Sequence, residues 1–262
     1  MTEEKFSEII SVMREAGEIM LRAEEVSVKE KGGSSNFVTQ YDLEVQNFLI
    51  EKIGTILPDA VFFAEEKEND KDSANTPCCI IIDPIDGTAN FINGYRHSCI
   101  SVAVVSFGEA VFGAVYNPYQ NEMFSAVRGG GAYLNGRPIF CAERPLERAM
   151  VAFGTTPYSK GPIADTTFAL AKEFFLQAND VRRVGSAALD LAYLAAGRND
   201  IFFEAVLQPW DITAGLLLIK EAGGRVTDFS GEPLKIGLAS SVLAASAGLH
   251  KDALRIVREL KI

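Results

Sequence analysis

The chain has 262 residues, of which 48% are hydrophobic and 23% charged, and a formal net charge of −10. That length can bury a substantial core, either as one large domain or as two closely packed halves. The acidic balance disfavours direct binding to nucleic acid or anionic membrane, which calls for local stripes of Lys and Arg. No apolar run reaches the roughly 18 residues of a membrane span. The start, Met1-Thr2-Glu3-Glu4-Lys5, lacks the apolar centre of a signal peptide. Cys78, Cys79, Cys99 and Cys141 sit in strand-like runs without a C-x-x-C, and Cys78 and Cys79 point to opposite faces of one strand. Buried thiols and a cytoplasmic location are expected.

Residues 3–25 carry apolar side chains at helical spacing, with Thr2 as the N-cap. Gly32-Gly33-Ser34-Ser35-Asn36 reads as a flexible loop. Thr39 and Asp42 match a capping box that opens a second helix, running to about residue 57. Residues 61–64 form a short strand ending at Glu65-Glu66, and residues 67–77 form a surface loop. Cys78-Cys79-Ile80-Ile81-Ile82 then runs into Asp83-Pro84-Ile85-Asp86-Gly87-Thr88. Such a run reads as a buried strand, and Pro84, which has no N–H to donate, should end it at Asp83. Strands follow at 98–107, 110–116 and 122–127, then a hairpin across Asn135-Gly136. From residue 150 strand and helix alternate: strands at 150–153, 181–184, 200–205, 225–228 and 242–245, helices at 163–177, 186–196, 212–222 and 249–260. Hence the fold class is α/β, with an α+β N-terminal half (1–145) and an α/β C-terminal half (146–262) packed as one unit.

Acids stand where segments end. Glu65 follows one strand, Asp83 another, Asp86 lies three residues on, and Asp211 follows Pro209-Trp210. If these segments meet, they give an all-oxygen ligand set for Mg²⁺ or Mn²⁺; the absence of His or Cys at ligand spacing argues against zinc. Each acid alone has a plainer explanation: Asp211 as a helix N-cap, Asp86 as a turn residue, Glu65 as a solvated loop acid. Asp83, directly after five apolar residues, is the hardest to explain that way. Gly87-Thr88 adds a glycine at a possible helix N-terminus, where backbone amides are free for an anion. Gly185-Ser186 repeats the pattern, with Ser186 as an N-cap or a ligand contact.

Asp83-Pro84-Ile85-Asp86-Gly87-Thr88 resembles the D-P-I/L-D-G-T signature of the inositol monophosphatase family of Mg²⁺-dependent, lithium-sensitive phosphatases, in its bacterial type. Ala64-Glu65-Glu66 is similar to the family's G-E-E, Trp210-Asp211-Ile212-Thr213-Ala214-Gly215 to W-D-x-x-A-G, and Gly185-Ser186-Ala187-Ala188 to G-S/T-A-A. Lys31, Val38-Thr39 and Asp42 resemble its lysine loop and V-T-x-x-D, with Asn36 in place of a common aspartate. The resemblance implies a layered α-β-α-β-α sandwich of the sugar-phosphatase type and two or three Mg²⁺ ions, with Mn²⁺ as a substitute. Glu65, Asp83 and the Ile85 carbonyl would hold one metal; Asp83, Asp86 and Asp211 would hold another. Glu65 and Thr88 would position the attacking water, and the Gly87 and Thr88 amides the phosphate. Asp86, Gly185, Ser186, Ala187, Glu204 and Asp211 would contact the substrate, and Lys31 would lie on a mobile loop.

The expected reaction is hydrolysis of a small phosphomonoester of a polyol or sugar, myo-inositol 1-phosphate first, without a covalent intermediate. Fructose 1,6-bisphosphate, nucleotide-derived and histidinol phosphates are alternatives. An aspartyl-phosphate phosphatase would need D-x-D, whereas the spacing here is D-x-x-D. A regulatory or scaffold protein retaining the fold is the reading of another class. The family suggests a homodimer, with the aromatic stretch 116–124 as a candidate face. Arg182-Arg183 reads as a structural or subunit-contact pair, partly buried against acids. His97 and His250 are assigned no chemistry, and His250 is expected at the surface.

Overall fold

The computed structural model describes residues 2–31, 37–70 and 72–260. The glycine-serine loop at 32–36, including Asn36, lies outside the described residues. The elements in chain order are α1 (Glu3–Leu21), β1 (Val28–Glu30), β2 (Phe37–Thr39), α2 (Gln40–Ile56), β3 (Val61–Ala64), β4 (Cys79–Asp86) and α3 (Thr88–Ile92). Then come β5 (Cys99–Ser106), β6 (Glu109–Asn117), β7 (Glu122–Val127), β8 (Gly131–Leu134), β9 (Arg137–Ile139), β10 (Met150–Phe153) and α4 (Lys160–Gln177). The chain closes with β11 (Asp180–Arg182), α5 (Ala187–Ala195), β12 (Ile201–Leu207), α6 (Pro209–Glu221), β13 (Gly224–Thr227), β14 (Ser240–Ser246) and α7 (His250–Glu259).

Two sheets dominate. The first runs β3-β4-β5-β6-β7-β8-β9 in chain order, and only its β3–β4 pairing is parallel. The second runs β11-β10-β12-β14-β13, parallel on the β11/β10/β12 side and antiparallel on the other. Helices α1 and α2 cover one face of the first sheet, α5 and α6 fill the space between sheets, and α4 and α7 cover the outer face of the second. The result is the expected α-β-α-β-α sandwich.

Strand β4 shows why the sequence folds this way. Both faces are covered, so every residue is buried. Cys79 and Ile81 face the core shared with α5 and α6, while Ile80 and Ile82 face the core under α1 and α2. The continuous apolar run is the signature of that double coverage. Each fully buried isoleucine contributes on the order of 1.5–3 kcal/mol through removal from water. The strand does not stop at Asp83, as the proline suggested; it continues to Asp86, with a register shift against β5 between Asp83 and Asp86. At such a bulge the ladder asks no N–H of Pro84.

The turns follow local rules. Phe107-Gly108 and Asn135-Gly136 have positive φ at both positions (50° and 76°; 48° and 76°), the backbone a two-residue hairpin requires. Thr39 opens α2 with a full capping box to Asp42. Thr2 stands at the N-cap of α1, but its side chain makes no capping bond.

Several expectations are corrected. His250 is buried rather than superficial, its Nε2 3.0 Å from Thr227 Oγ1. Cys78 precedes β4 and Cys141 follows β9, so only Cys79 and Cys99 lie in strands. Tyr116 and Phe124 are buried within the chain's own core, which removes them from a candidate dimer face. Arg182 and Arg183 are both exposed: Arg182 pairs with Asp180 at the end of β11, and Arg183 has left the strand.

Candidate active site

The predicted acids converge on one cavity of about 480 Å³. Its wall includes Glu65 from the end of β3, Asp83, Ile85 and Asp86 from β4, Gly87 and Thr88 from the start of α3, and Asp211 from α6. Gly185 and Ser186 come from the β11–α5 connection, Ala187 from the start of α5, Glu204 from β12, and Lys31 from just after β1. Every residue nominated from the sequence therefore lines the same space.

Asp83, Asp86 and Asp211 each offer a carboxylate oxygen within 4.8 Å of the others. At an effective dielectric near 20, each such pair of charges repels by on the order of 3 kcal/mol. Burial first, then Glu65, Asp86 and Asp211, holds the Asp83 carboxyl well above the usual carboxylate range. Burial and Asp86 do the same to Asp211. Asp83 Oδ1 is buried and has no hydrogen-bond partner among the described residues. A buried acceptor facing two more carboxylates fits a hard divalent cation, which takes oxygen ligands and offsets the repulsion.

The remaining oxygens are organised by the chain. Asp86 Oδ2 accepts from Ser186 Oγ at 2.6 Å and from the Ala188 amide at 2.7 Å. Ser186 stands at the N-cap of α5 but makes no cap; its hydroxyl is spent on Asp86. Asp211 is the third residue of α6 rather than its N-cap, three positions further into the helix than expected, and its Oδ2 accepts from the Gln208 amide at 2.7 Å. The helix start thus orients the carboxylate while leaving an oxygen for the cluster. Glu65 lies beside Asp83 but is also held by a cation: its Oε1 accepts from Lys31 Nζ at 2.9 Å, and Lys31 also pairs with Glu66. Burial works to lower the Lys31 pKa, but the two glutamates outweigh it and raise it.

Gly87 has φ +87°, and a Cβ there would lie 3.0 Å from the His97 carbonyl and 3.1 Å from that of Gly185. Conformation and space both demand glycine. The turn starts the short helix α3, whose first amides have no intrahelical acceptor. Thr88 Oγ1 lies 3.0 Å from the Ile85 carbonyl and 3.3 Å from Asp42 Oδ1. The Thr39–Asp42 capping box therefore also reaches the site, a link the V-T-x-x-D pattern carried without a role attached.

Glu204 was nominated only through the family resemblance, and the residues that hold it had no sequence signal. Glu204 is buried, and its Oε1 accepts from the Thr156 amide at 2.8 Å and from Thr156 Oγ1 at 3.1 Å. Thr156 holds φ +40°, a conformation rare for a β-branched residue. Asn90 Nδ2 donates to the carbonyls of His97 (2.7 Å) and Val184 (2.8 Å), tying α3 to the segment before Gly185. Asp190, Tyr158 and Arg183 also line the cavity, and Trp210 packs against Phe63 with ring centroids 5.9 Å apart. The partners of these groups lie across the fold, where local spacing reveals nothing.

A layered α-β-α-β-α sandwich with a carboxylate cluster beside a glycine turn defines a sugar-phosphatase type of protein. The profile of the inositol monophosphatase family matches residues 2–261, and the chain belongs to that family. It is 40% identical over 227 residues to the Nus factor SuhB of Escherichia coli K12, covering 85% of this chain and 84% of that protein. It is 34% identical over 255 residues to the fructose-1,6-bisphosphatase/inositol-1-monophosphatase of Thermotoga maritima, covering 96% and 94%. The crystal structure of the extragenic suppressor protein suhB from Bartonella henselae superposes with a TM-score of 0.88 at 33% identity, covering 96% of this chain and 97% of that one.

Proposed function

We propose that the chain is a Mg²⁺-dependent phosphatase of small phosphomonoesters, with myo-inositol 1-phosphate as substrate. The observation that carries this reading is the unpartnered, buried Asp83 Oδ1 among Asp86 and Asp211, next to the Gly87 turn. Glu65, Asp83 and the Ile85 carbonyl would hold one Mg²⁺, and Asp83, Asp86 and Asp211 another. Bound there, Mg²⁺ supplies charge stabilisation to the phosphoryl oxygens and makes water more acidic. The chain's own groups do the rest. Amides at Gly87 and Thr88 receive the phosphate. The Thr88 hydroxyl, held between Ile85 O and Asp42, orients water together with Glu65. Glu204, fixed by Thr156, and Asp86, fixed by Ser186, accept substrate hydroxyls alongside Gly185 and Ala187. The halves 1–145 and 146–262 act as one catalytic unit, a reading supported by the contribution of both to the cavity wall. Lithium sensitivity, a homodimer and a cytoplasmic location belong to the same reading.

The test is phosphate release from inositol 1-phosphate, fructose 1,6-bisphosphate, a nucleotide phosphate and histidinol phosphate, with Mg²⁺ and with added Li⁺. Mg²⁺-dependent release from inositol 1-phosphate, suppressed by Li⁺, is expected. No release from any ester, or a trapped phospho-aspartate at Asp83, contradicts the reading.

The relatives named Nus factor SuhB favour a second reading, in which the chain also serves as a Nus factor. Such a role would be independent of the carboxylate cluster and would survive Asp83→Asn, which the phosphatase would not.

A further inference from the structure

A second cavity, of about 330 Å³, shares no wall residue with the first. It is bounded by the start of β6, the C-terminal half of α6, β13 and the 228–239 segment. Its floor is apolar. Ala110 and Leu217 are buried in the core between the two sheets, and Val226 and Leu234 pack against that core. Close packing fixes α6 from the sides. A Cβ on Gly113 would lie 2.9 Å from the Ala214 carbonyl oxygen, and one on Gly215 would lie 2.6 Å from Leu191 Cβ. The helix therefore cannot slide to close the gap, and the cavity is formed in advance of any occupant.

The rim is cationic. Lys220 and Arg225 both border the cavity and are exposed, and neither forms an ion pair among the described residues. The acids next to them in the wall or along the chain are engaged elsewhere. Glu109 pairs with Arg128. Glu221 accepts from the amides of Gly129 and Gly131, and Asp228 from the amide of Glu232. In a chain of net charge −10, two cations without acidic partners are thus collected around one apolar hollow.

An apolar floor takes a hydrocarbon body, and the guanidinium fork and ammonium at the rim take an anionic head. An inorganic anion would leave the floor in contact with water. A neutral hydrocarbon would leave both charges without a counterpart. The volume stands at the small end of the range of ligand sites, roughly 300–1,000 Å³, so the body is short. We propose that this cavity binds a medium-chain carboxylate, its head held by Lys220 and Arg225 and its chain laid over Ala110, Leu217 and Leu234. The site stands apart from the phosphatase reading, because it uses none of the same residues.

The test is calorimetric titration of the Mg²⁺-loaded chain with octanoate, and with 1-octanol as its uncharged match. Octanoate should bind once per chain with a Kd below about 1 mM, a modest return for its heavy atoms in a formed pocket. 1-Octanol should bind at least about tenfold more weakly, the worth of a charge-assisted hydrogen bond. The double variant Lys220→Gln/Arg225→Gln changes exposed residues and keeps the fold. It should weaken octanoate by about 10- to 100-fold and leave 1-octanol within about twofold. Leu234→Trp fills the floor and should weaken both. Sedimentation should give the same mass for the wild type and the double variant. The site is overturned if octanoate does not bind, if 1-octanol binds as well, or if either variant binds octanoate like the wild type. A smaller mass for the double variant also overturns it, by assigning this face to a second copy of the chain.

Discussion

Gly154 and Glu204 show how single residues set the chemistry of the cavity. A Cβ at position 154 would lie 1.8 Å from Glu204 Oε2, so only glycine lets the carboxylate occupy its place. Burial, outweighing the Thr156 bonds, pushes Glu204 from 4.5 up to about 7. A folded-state pKa above the unfolded one means that the native chain holds the extra proton. The resulting stability is complete below pH 4.5 and is lost as pH rises through about 7. In the metal-free protein, Glu204→Gln removes that loss, reducing the fall in stability between pH 4.5 and pH 8 by about 3 kcal/mol relative to wild type. Urea denaturation across that range checks it; equal falls in the two proteins would place Glu204 in water. None of this was legible locally. Glu204 was nominated through the family resemblance, but the glycine and threonine that fix it lie some fifty residues away in sequence.

Among the elements, β4 was the most legible and also the most instructive where it departed from expectation. Its apolar run announced a strand covered on both faces, which the two flanking cores bear out. Its end was misplaced because proline was judged by what it cannot donate, and the bulge removes that demand. The bulge sets the spacing of Asp83 and Asp86 toward one cavity. Burial in α7 was likewise invisible: His250 is placed by Thr227 on β13, a partner no local pattern names. Because Ile81 is 1% exposed, Ile81→Ala should cost about 2–5 kcal/mol by loss of packing and creation of a cavity. Val61→Ala at the exposed start of β3 should cost under about 1 kcal/mol, since the site is 39% exposed. Similar urea midpoints for the two variants would mean that the double coverage of β4 does not support the fold.

Taken whole, the molecule is two sheets with helices between and outside, and its cavity is built by segments from both sheets. The sandwich could be anticipated from helical and strand periodicity together with the family signatures. The convergence of Glu65, Asp83, Asp86 and Asp211 could be nominated because each ends or opens an element. The groups around them, Arg183, Tyr158, Thr156 and Asp190, could not be nominated as site residues, because they come from the β10–α4 connection, the β11–α5 connection and α5, and meet only once the second half has folded. The placement of the acids costs stability in the metal-free chain and makes sense as a cation site.

The central claim is that this carboxylate cluster holds the Mg²⁺ that phosphate release needs. It is tested most directly by titrating Mg²⁺ against phosphate release from inositol 1-phosphate in the wild type and in Asp83→Asn. The wild type should release phosphate only as Mg²⁺ is added, and Asp83→Asn should fall by at least about a hundredfold at saturating Mg²⁺ while remaining folded. Wild-type turnover in Asp83→Asn, or release that ignores Mg²⁺, would contradict it.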